Sequence, residues 1–297
     1  MLDLAVIGAG PAGLCAAIYA SRAGLNFTLL EQDGYGGGQI SSSHLVENYP
    51  GVPQISGFEL GERFRGQAMD LGAEITYGLV TGIAQIPGGY SIQVEDDAPV
   101  EARAVIAATG ATPRPLGIPG EEEHVGRGVS YCATCDGSFY KDRNVLVVGG
   151  GDTAVEDAIY LSSLCSSVTL ILRRDQFRAA KRRVDALMAL PNVKVRFKVK
   201  PLEILDKAVR ASTEQGEEIL PADGIFIAAG TQPVTGYLKQ LPLEFSDGYV
   251  QADETCRTCL PGFYAAGDIR RKQLRQVTTA VADGANAVYS ALDYLHG

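Results

Sequence analysis

Two cysteines separated by two residues, Cys132 and Cys135, are the side chains in this sequence best suited to chemistry. The short spacer lets the two sulfurs close a small ring, and the pKa of a thiol is lowered in such motifs. Asp136 follows the second sulfur and can move protons through water, or directly if its pKa is raised. We therefore predict a redox-active dithiol at Cys132 and Cys135, with Asp136 as a third catalytic residue.

Other interpretations of this pair remain open. One is a structural disulfide, and another is a zinc site completed by a second CxxC pair, Cys256 and Cys259. The two pairs lie far apart in the sequence, which disfavours zinc, and we expect no metal site. For Cys256 and Cys259, a surface structural pair or incidental cysteines is favoured over a second redox centre. Cys15 and Cys165 lie in apolar helical stretches and are predicted to be core residues.

A duplicated glycine-rich pattern gives the dithiol its setting. An apolar strand runs into Gly8-Ala9-Gly10-Pro11-Ala12-Gly13, and a second one runs into Gly149-Gly150-Gly151-Asp152-Thr153-Ala154. Each half later repeats a second signature, Ala107–Pro113 in one and Ala228–Pro233 in the other. Glycine lets the backbone approach a pyrophosphate, and a helix N-terminus supplies free N–H groups. The duplication predicts two Rossmann-like, doubly wound α/β domains of three layers. Their candidate nucleotide-binding residues are Gly8, Gly10, Pro11, Ala12, Gly13, Thr109, Gly110, Gly149, Gly151, Asp152, Thr153 and Ala154.

The end of the second strand in each repeat indicates which nucleotide is bound. In the first repeat this strand ends in Glu31, which can accept hydrogen bonds from an adenosine ribose. The same spacing from Gly149 leads to Leu172, which is followed by Arg173, Arg174 and, one turn later, Arg178. Guanidinium groups bind a 2′-phosphate, which a carboxylate would repel. We predict FAD at the first site and NADPH at the second. A solvated basic helix face is the alternative for the arginines.

A third element near the C-terminus supports the flavin and sets the domain order. Phe263–Asp268 is predicted to be a strand that runs into a Gly267-Asp268 corner, where Asp268 can bond ribityl hydroxyls. The tail then folds back onto the first domain, so the second domain is an insertion in the first. We predict an FAD-binding domain at residues 1–113 and 243–297. Residues 114–242 form the NADPH-binding domain, which carries the CxxC centre.

Length, composition and charge limit the possible partners. The 297 residues favour two domains, and 46% hydrophobic residues suffice for a core in each. The formal net charge is −9 and long basic runs are absent, so we expect neither nucleic acid nor a membrane surface as a partner. The sequence opens on a strand without signal-peptide features, and no apolar run approaches the roughly 18 residues of a membrane span. A cytoplasmic location is expected.

The segment from Tyr131 to Tyr140 closely resembles the active site of low-molecular-weight thioredoxin reductases, which are FAD- and NAD(P)-dependent pyridine nucleotide-disulfide oxidoreductases. The likeness covers essentially the whole chain and extends to Gly37–Ile40, Glu47–Gly51, Ala266–Asp268 and Arg275–Val277. This resemblance implies that Cys135 faces the flavin and that Cys132 attacks the partner's disulfide. It also implies a homodimer whose nicotinamide domain rotates between two arrangements. By the same resemblance, the residues that line FAD are Gly38, Gln39, Asn48, Asp268, Arg275 and Gln276.

The leading hypothesis is therefore reduction of thioredoxin, or of a thioredoxin-like protein, by NADPH through FAD and the dithiol. A thioredoxin couple near about −270 mV is within reach of NADPH. The alternatives are a reductase fed by ferredoxin or flavodoxin, a related dithiol oxidase, and a non-catalytic flavin sensor. Arg173, Arg174 and Arg178 disfavour the oxidase, and the intact CxxC motif disfavours the sensor.

Overall fold

The computed structural model describes residues 1–43, 46 and 48–297, with the backbone alone at Ser42, Thr134 and Cys135. Its strands are β1 (Leu2–Ile7), β2 (Phe27–Glu31), β3 (Ile75–Tyr77), β4 (Val80–Ile86), β5 (Gly89–Val94), β6 (Val100–Ala107), β7 (Ala111–Pro113), β8 (Val129–Ser130), β9 (Asn144–Val148), β10 (Ser167–Leu172), β11 (Val193–Phe197), β12 (Lys200–Leu205), β13 (Ala208–Thr213), β14 (Gly216–Pro221), β15 (Gly224–Ile227), β16 (Thr231–Pro233), β17 (Phe245–Ser246), β18 (Tyr249–Val250) and β19 (Phe263–Ala265). Its α-helices are α1 (Pro11–Arg22), α2 (Gly57–Asp70), α3 (Glu121–His124), α4 (Ala133–Asp136), α5 (Asp152–Ser162), α6 (Lys181–Met188) and α7 (Val277–His296). Short 3₁₀ helices span Gly38–Ser42, Gly137–Tyr140, Gly236–Leu238 and Gly267–Ile269.

The chain folds as two compact units, one formed by Met1–Thr112 with Gln232–Gly297 and the other by Pro113–Thr231. The second unit is thus inserted in the first. The sequence analysis expects the return to the first domain at residue 243, whereas the structure returns at Gln232. The difference arises because Tyr237, Leu238 and Leu241 bury their side chains in the core of the first unit.

The first unit is built on a parallel sheet whose two faces are both covered. Strands β3, β2, β1, β6 and β19 are parallel, and β5 and β4 continue the sheet beyond β6 in antiparallel fashion. Leu4 and Val6 of β1 pack with residues of α1, α2 and α7. Ala5 and Ile7 point the other way and pack with residues of β4 and β5. A strand segment covered on both faces has to be apolar, which explains the buried run Leu4–Ile7 in β1.

The second unit repeats this plan. Its sheet has the order β11-β10-β9-β15-β8, and every pairing is parallel. Val145 and Val147 of β9 pack with residues of α5 and α6. Leu146 and Val148 pack with residues of the antiparallel sheet β12-β13-β14. The predicted fold class, two Rossmann-like α/β domains with the second inserted in the first, is confirmed. In both units the layer opposite the helices consists of antiparallel strands.

Helix α7 closes the first unit by crossing α1 at very short range. A Cβ atom at Gly284 would overlap the carbonyl oxygen of Ala12 and lie 3.0 Å from the backbone nitrogen of Ala16. Small residues at the crossing therefore let the two backbones touch, which holds the C-terminal segment against the N-terminal glycine loop. No helix in the described part of the chain has the length and apolar character needed to cross a membrane.

We predict that Gly284→Ala destabilises the protein by about 1–3 kcal/mol, because the added methyl group forces two helices apart. The matched control is Gly66→Ala in α2, where a Cβ atom meets no heavy atom within 4 Å. That change should stabilise the protein by about 0.4–1 kcal/mol through lower chain entropy in the unfolded state. Urea unfolding of both variants measures the difference. Equal stability of the two would show that the α1–α7 contact is not tight.

Candidate active site and nucleotide-binding loops

The first glycine loop joins β1 to α1 through backbone contacts that exclude side chains. Gly8 has φ +98°, and a Cβ atom there would lie 2.6 Å from the carbonyl oxygen of Ala108. A Cβ atom at Gly13 would overlap the carbonyl oxygen of Gly8. Helix α1 begins at Pro11 after Gly10, and no side chain caps its first N–H groups. The loop therefore presents backbone donors at a helix N-terminus, as a pyrophosphate site requires.

Glu31 at the end of β2 braces this loop. Its Oε2 accepts the N–H of Ala9 at 2.6 Å, and its Oε1 accepts the N–H of Gln32 at 2.8 Å. A carboxylate oxygen can accept more than one hydrogen bond, so the predicted role toward a ribose hydroxyl stays available. The structure thus adds a supporting role for Glu31 that its position in the sequence does not reveal.

A second run of glycines lies against the first. The N–H of Gly37 donates to the carbonyl oxygen of Ala9 at 2.8 Å. A Cβ atom at Gly38 would lie 3.0 Å from the Cα atom of Gly10, so the predicted residues Gly10 and Gly38 are neighbours. Gln39 follows in the 3₁₀ helix Gly38–Ser42.

Two more of the predicted flavin residues meet through their side chains, although they are 228 positions apart in the sequence. The Nδ2 of Asn48 donates to the Oε1 of Gln276 at 2.8 Å. Gln276 is the N-cap residue of α7 and forms a capping box with Thr279. The neighbouring Glu47, which belongs to the same resemblance, lies outside the described residues.

The predicted Gly267-Asp268 corner lies beside the start of α1, since a Cβ atom at Gly267 would be 2.9 Å from the Cβ of Ala12. Three buried atoms here, Oδ1 of Asp268 and Nε and Nη2 of Arg275, have no hydrogen-bond partner within the described part of the chain. Buried polar groups are normally paired, so these atoms fit a ligand rich in hydroxyl and phosphate oxygens. Burial raises the pKa of Asp268, while Lys272 and Arg275 act in the opposite direction.

A buried ion-pair group that the sequence analysis missed holds this corner. Asp283 of α7 is only 5% exposed. Its carboxylate contacts Arg270 at 3.1 Å and Lys272 at 3.0 Å, and it accepts the N–H of Gly267 at 2.9 Å. The sequence could have indicated this group, because Asp283 stands alone among apolar and small residues. A carboxylate buried in such a stretch needs a positively charged partner.

The side chain of Thr109 forms hydrogen bonds within the first unit, and its predicted role in nucleotide binding stays a prediction. Its hydroxyl donates to the carbonyl oxygen of Val234 at 2.8 Å and lies 3.2 Å from the hydroxyl of Tyr237. Its Cα atom is 3.0 Å from where a Cβ atom of Gly8 would be. The backbone of Thr109 thus lies against the glycine loop, whereas the carbonyl oxygen of the adjacent Gly110 accepts the N–H of Val234 at 3.0 Å.

In the second unit, the second glycine loop opens onto a cavity of about 440 Å³. Arg173, Arg174 and Arg178 line this cavity together with Gly149–Gly151 and Thr153. The three arginines belong to the loop before α6, which begins at Lys181, so they do not form the basic helix face considered above. The described lining contains no carboxylate. The cavity is therefore suited to an anionic ligand.

Asp152 and Ala154 do not line the cavity. The Oδ1 of Asp152 accepts the N–H of Ala180 at 3.0 Å and an N–H of Arg183 at 2.9 Å. The Ala180 bond, with help from Arg183, lowers the pKa of Asp152. Ala154 is buried, 2.7 Å from where a Cβ atom of Gly149 would be. The side chains of both residues shape the loop, and their predicted contact with a nucleotide stays a prediction.

The redox centre follows the edge strand β8. Cys132 is disulfide-bonded. Its N–H donates to the Oγ of Ser130 at 3.0 Å, and that hydroxyl donates back to the carbonyl oxygen of Cys132 at 3.2 Å. Cys135 lies in α4, and its side chain is outside the described residues, so the pairing of Cys132 with Cys135 stays a prediction.

The dithiol turn packs against the helix that opens at the nucleotide loop. A Cβ atom at Gly137 would lie 3.0 Å from Leu161 and 3.1 Å from Tyr160, both in α5. Strands β8 and β9 are separated only by β15, which places their ends roughly 10 Å apart at the usual strand spacing. Asp136 donates its N–H to the carbonyl oxygen of Cys132 at 3.1 Å.

A second carboxyl group of this unit, Asp157 in α5, is partly buried. Its burial, with a smaller effect of Glu156, raises the pKa of Asp157 to about 7.

The remaining cysteines are free. Cys15 and Cys165 are buried, as predicted. Cys256 is also fully buried, with its sulfur 3.4 Å from the carbonyl oxygen of Asp283, and burial raises its pKa to about 12. Cys259 is exposed, and both thiols are free, so the two cysteines do not form a surface disulfide and fit the expectation of incidental cysteines.

The family model for pyridine nucleotide-disulphide oxidoreductases matches residues 2–284. The chain belongs to this family. It is 42% identical over 302 residues to the thioredoxin reductase of Listeria monocytogenes, an alignment that covers 99% of this chain and 93% of that protein. The crystal structure of Lactococcus lactis thioredoxin reductase in its FR conformation matches with a TM-score of 0.82 and 39% identity, covering 100% of this chain and 99% of the other. Thioredoxin reductase from Streptococcus pyogenes matches with a TM-score of 0.79 and 43% identity, covering 100% and 98%.

We predict that Asp268→Asn weakens FAD binding roughly ten- to hundredfold, since a hydrogen bond to a charged group contributes about 1.5–3 kcal/mol. Asp247→Asn is the matched control, because Asp247 belongs to the same unit and its side chain is exposed to solvent. The fraction of bound flavin after dialysis of each variant measures the effect. Equal retention by the two variants would remove Asp268 from the cofactor site.

Proposed function

We propose that the protein is a thioredoxin-disulfide reductase. It takes electrons from NADPH, passes them through FAD to a Cys132–Cys135 dithiol, and reduces the disulfide of thioredoxin or a thioredoxin-like protein. One observation carries this proposal. In the second unit, the disulfide-bonded Cys132 and the arginine-lined cavity follow strands that end at the same edge of one parallel sheet. Relatives that are named thioredoxin reductases support the choice of partner.

The residues of the first unit fit FAD. The loop at Gly8–Gly13 and its neighbour Gly38 offer close backbone approach, and Asp268 and Arg275 offer buried polar atoms without a described hydrogen-bond partner. Bound FAD supplies the two-electron chemistry that connects hydride acceptance to disulfide reduction. The protein's part is to orient the cofactor through Glu31, Gln39, Asn48 and Gln276.

The dithiol carries out thiol–disulfide exchange with the partner. The thiolate of Cys132 attacks one sulfur of the thioredoxin disulfide, which forms a mixed disulfide and releases a thioredoxin thiolate. Cys135 then attacks the sulfur of Cys132, which closes the Cys132–Cys135 disulfide and releases the second thiolate. The two protons lost by Cys132 and Cys135 go to the two thioredoxin sulfurs. Asp136 is the residue we assign to move them.

The cavity favours NADPH over the alternative electron sources. Arg173, Arg174 and Arg178 line it, and no described residue forms an ion pair with any of them. Unpaired guanidinium groups beside a nucleotide loop suit a 2′-phosphate. A reductase that takes electrons from ferredoxin or flavodoxin, or a dithiol oxidase, does not need arginines that bind a 2′-phosphate.

The proposal includes a cytoplasmic homodimer with an FAD-binding first unit and an NADPH-binding second unit. The free thiols of Cys15, Cys165, Cys256 and Cys259 suit a reducing compartment. The homodimer rests on the resemblance to thioredoxin reductases.

We predict that Cys135→Ser, but not Cys132→Ser, is trapped by thioredoxin. The probe is a thioredoxin that lacks its resolving cysteine and carries an aromatic disulfide on the remaining one. The thiolate of Cys132 displaces the aromatic thiol, and without Cys135 the mixed disulfide persists. Non-reducing gel electrophoresis detects the adduct.

The exposed free cysteine provides the control for this experiment. Cys259→Ser should leave trapping by the Cys135→Ser variant unchanged. An adduct that forms through Cys135 in the Cys132→Ser variant would reverse the two roles, and an adduct lost with Cys259 would place the exchange elsewhere.

A further inference from the structure

The cavity beside the second glycine loop contains two cations that no sequence motif marks, Arg114 and Lys200. With Arg173, Arg174 and Arg178 they make five positively charged residues in a described lining that has no carboxylate, although the chain carries a net charge of −9. Neither forms an ion pair with a described residue, whereas nearby Lys198 is paired with Glu214 at 2.7 Å. Five exposed cations without a described ion-pair partner in one cavity favour an anionic ligand there.

Lys200 lies where the ribose end of a nucleotide binds. The N–H of Val199 donates to the carbonyl oxygen of Leu172 at 3.0 Å, and the N–H of Lys198 donates to that of Arg174 at 3.0 Å. Residues 198 and 199 therefore lie against the chain at the end of β10, and Lys200 follows them. In an NAD site, the strand that corresponds to β10 ends in the acid that binds the ribose hydroxyls. Lys200 lines the same cavity as Leu172, Arg173 and Arg174, and so faces the region that distinguishes a 2′-hydroxyl from a 2′-phosphate.

Arg114 lies on the other side of the glycine loop. Its N–H donates to the carbonyl oxygen of Gly230 at 2.8 Å, and Gly230 follows β15. Because β9 lies between β10 and β15, Gly149 at the end of β9 separates the position of Arg114 from that of Lys200. Arg114 is thus next to the part of the loop that binds the pyrophosphate, which NADPH and NADH share.

We propose that Lys200 binds the 2′-phosphate of NADPH from strand β12 and contributes to the preference over NADH, whereas Arg114 binds a group common to both nucleotides. This proposal deepens the assignment of NADPH as the electron donor and rests on it. An ammonium group acts on phosphate as a compact point charge on a flexible stem. Its removal should weaken binding of the 2′-phosphorylated nucleotide about tenfold, at the low end for charged hydrogen bonds because solvent screens it.

Titration calorimetry on the FAD-loaded full chain tests this without any redox turnover. The probes are ADP-ribose and 2′-phospho-ADP-ribose, which differ only in the phosphate. Lys200→Met should weaken binding of the 2′-phosphorylated probe about tenfold and leave ADP-ribose binding unchanged. Lys200→Arg should keep most of the wild-type preference, because it retains the charge.

Two further variants make the test specific. Lys198→Met, which removes a neighbouring lysine that does not line the cavity, should change neither affinity. Arg114→Met should weaken both probes by a similar factor. Loss of affinity for both probes, or for neither, in Lys200→Met would overturn the role of Lys200 and leave the donor assignment intact. A wild-type protein that binds neither probe would overturn the donor assignment and this inference together.

Discussion

In a parallel sheet, the carboxyl ends of all strands lie at the same edge. The chemistry proposed for the second unit depends on this constraint. Strand β8 ends at Ser130, before Cys132, and β9 ends at Val148, before the glycine loop. Strand β10 ends at Leu172, before the arginines. Three features that are separate in the sequence therefore meet at one edge, where ligands of open α/β sheets bind. The apolar faces of these strands fix that register by packing against helices on one side and antiparallel strands on the other.

The first unit uses a different device, a buried charge that is compensated within the fold. Asp283 lies between Arg270 and Lys272 and also holds the N–H of Gly267. Removing one partner from such a group costs several kcal/mol, so the cluster is a rigid support for the corner that precedes Asp268. Beside it, Asp268 and Arg275 keep buried polar atoms that lack a hydrogen-bond partner in the described residues. A supported corner next to such atoms fits the predicted cofactor site.

Features governed by local backbone geometry could be predicted from the sequence. Gly8, Gly13 and Gly38 are glycines because a Cβ atom would collide with neighbouring backbone, and that pattern is readable in one dimension. The internal duplication predicted that the two units share one plan, because the repeated glycine loops and strand ends can be recognised in the sequence itself. Residues whose partners come from distant parts of the chain could not be assigned in this way. Asp152 bonds to Ala180 and Arg183, Thr109 bonds to Val234, and Tyr237 joins the core of the first unit, so their roles and the domain boundary depend on tertiary contacts.

The central claim is that electrons enter from NADPH and leave through the dithiol. Anaerobic rapid mixing of the oxidised, FAD-loaded protein with NADPH, NADH or reduced ferredoxin tests it most directly, with flavin absorbance and free thiols followed together. We expect fast loss of oxidised flavin absorbance with NADPH, a slower loss with NADH, and new thiols at Cys132 and Cys135. A flavin that stays oxidised with both nicotinamides but is reduced by ferredoxin would contradict the account.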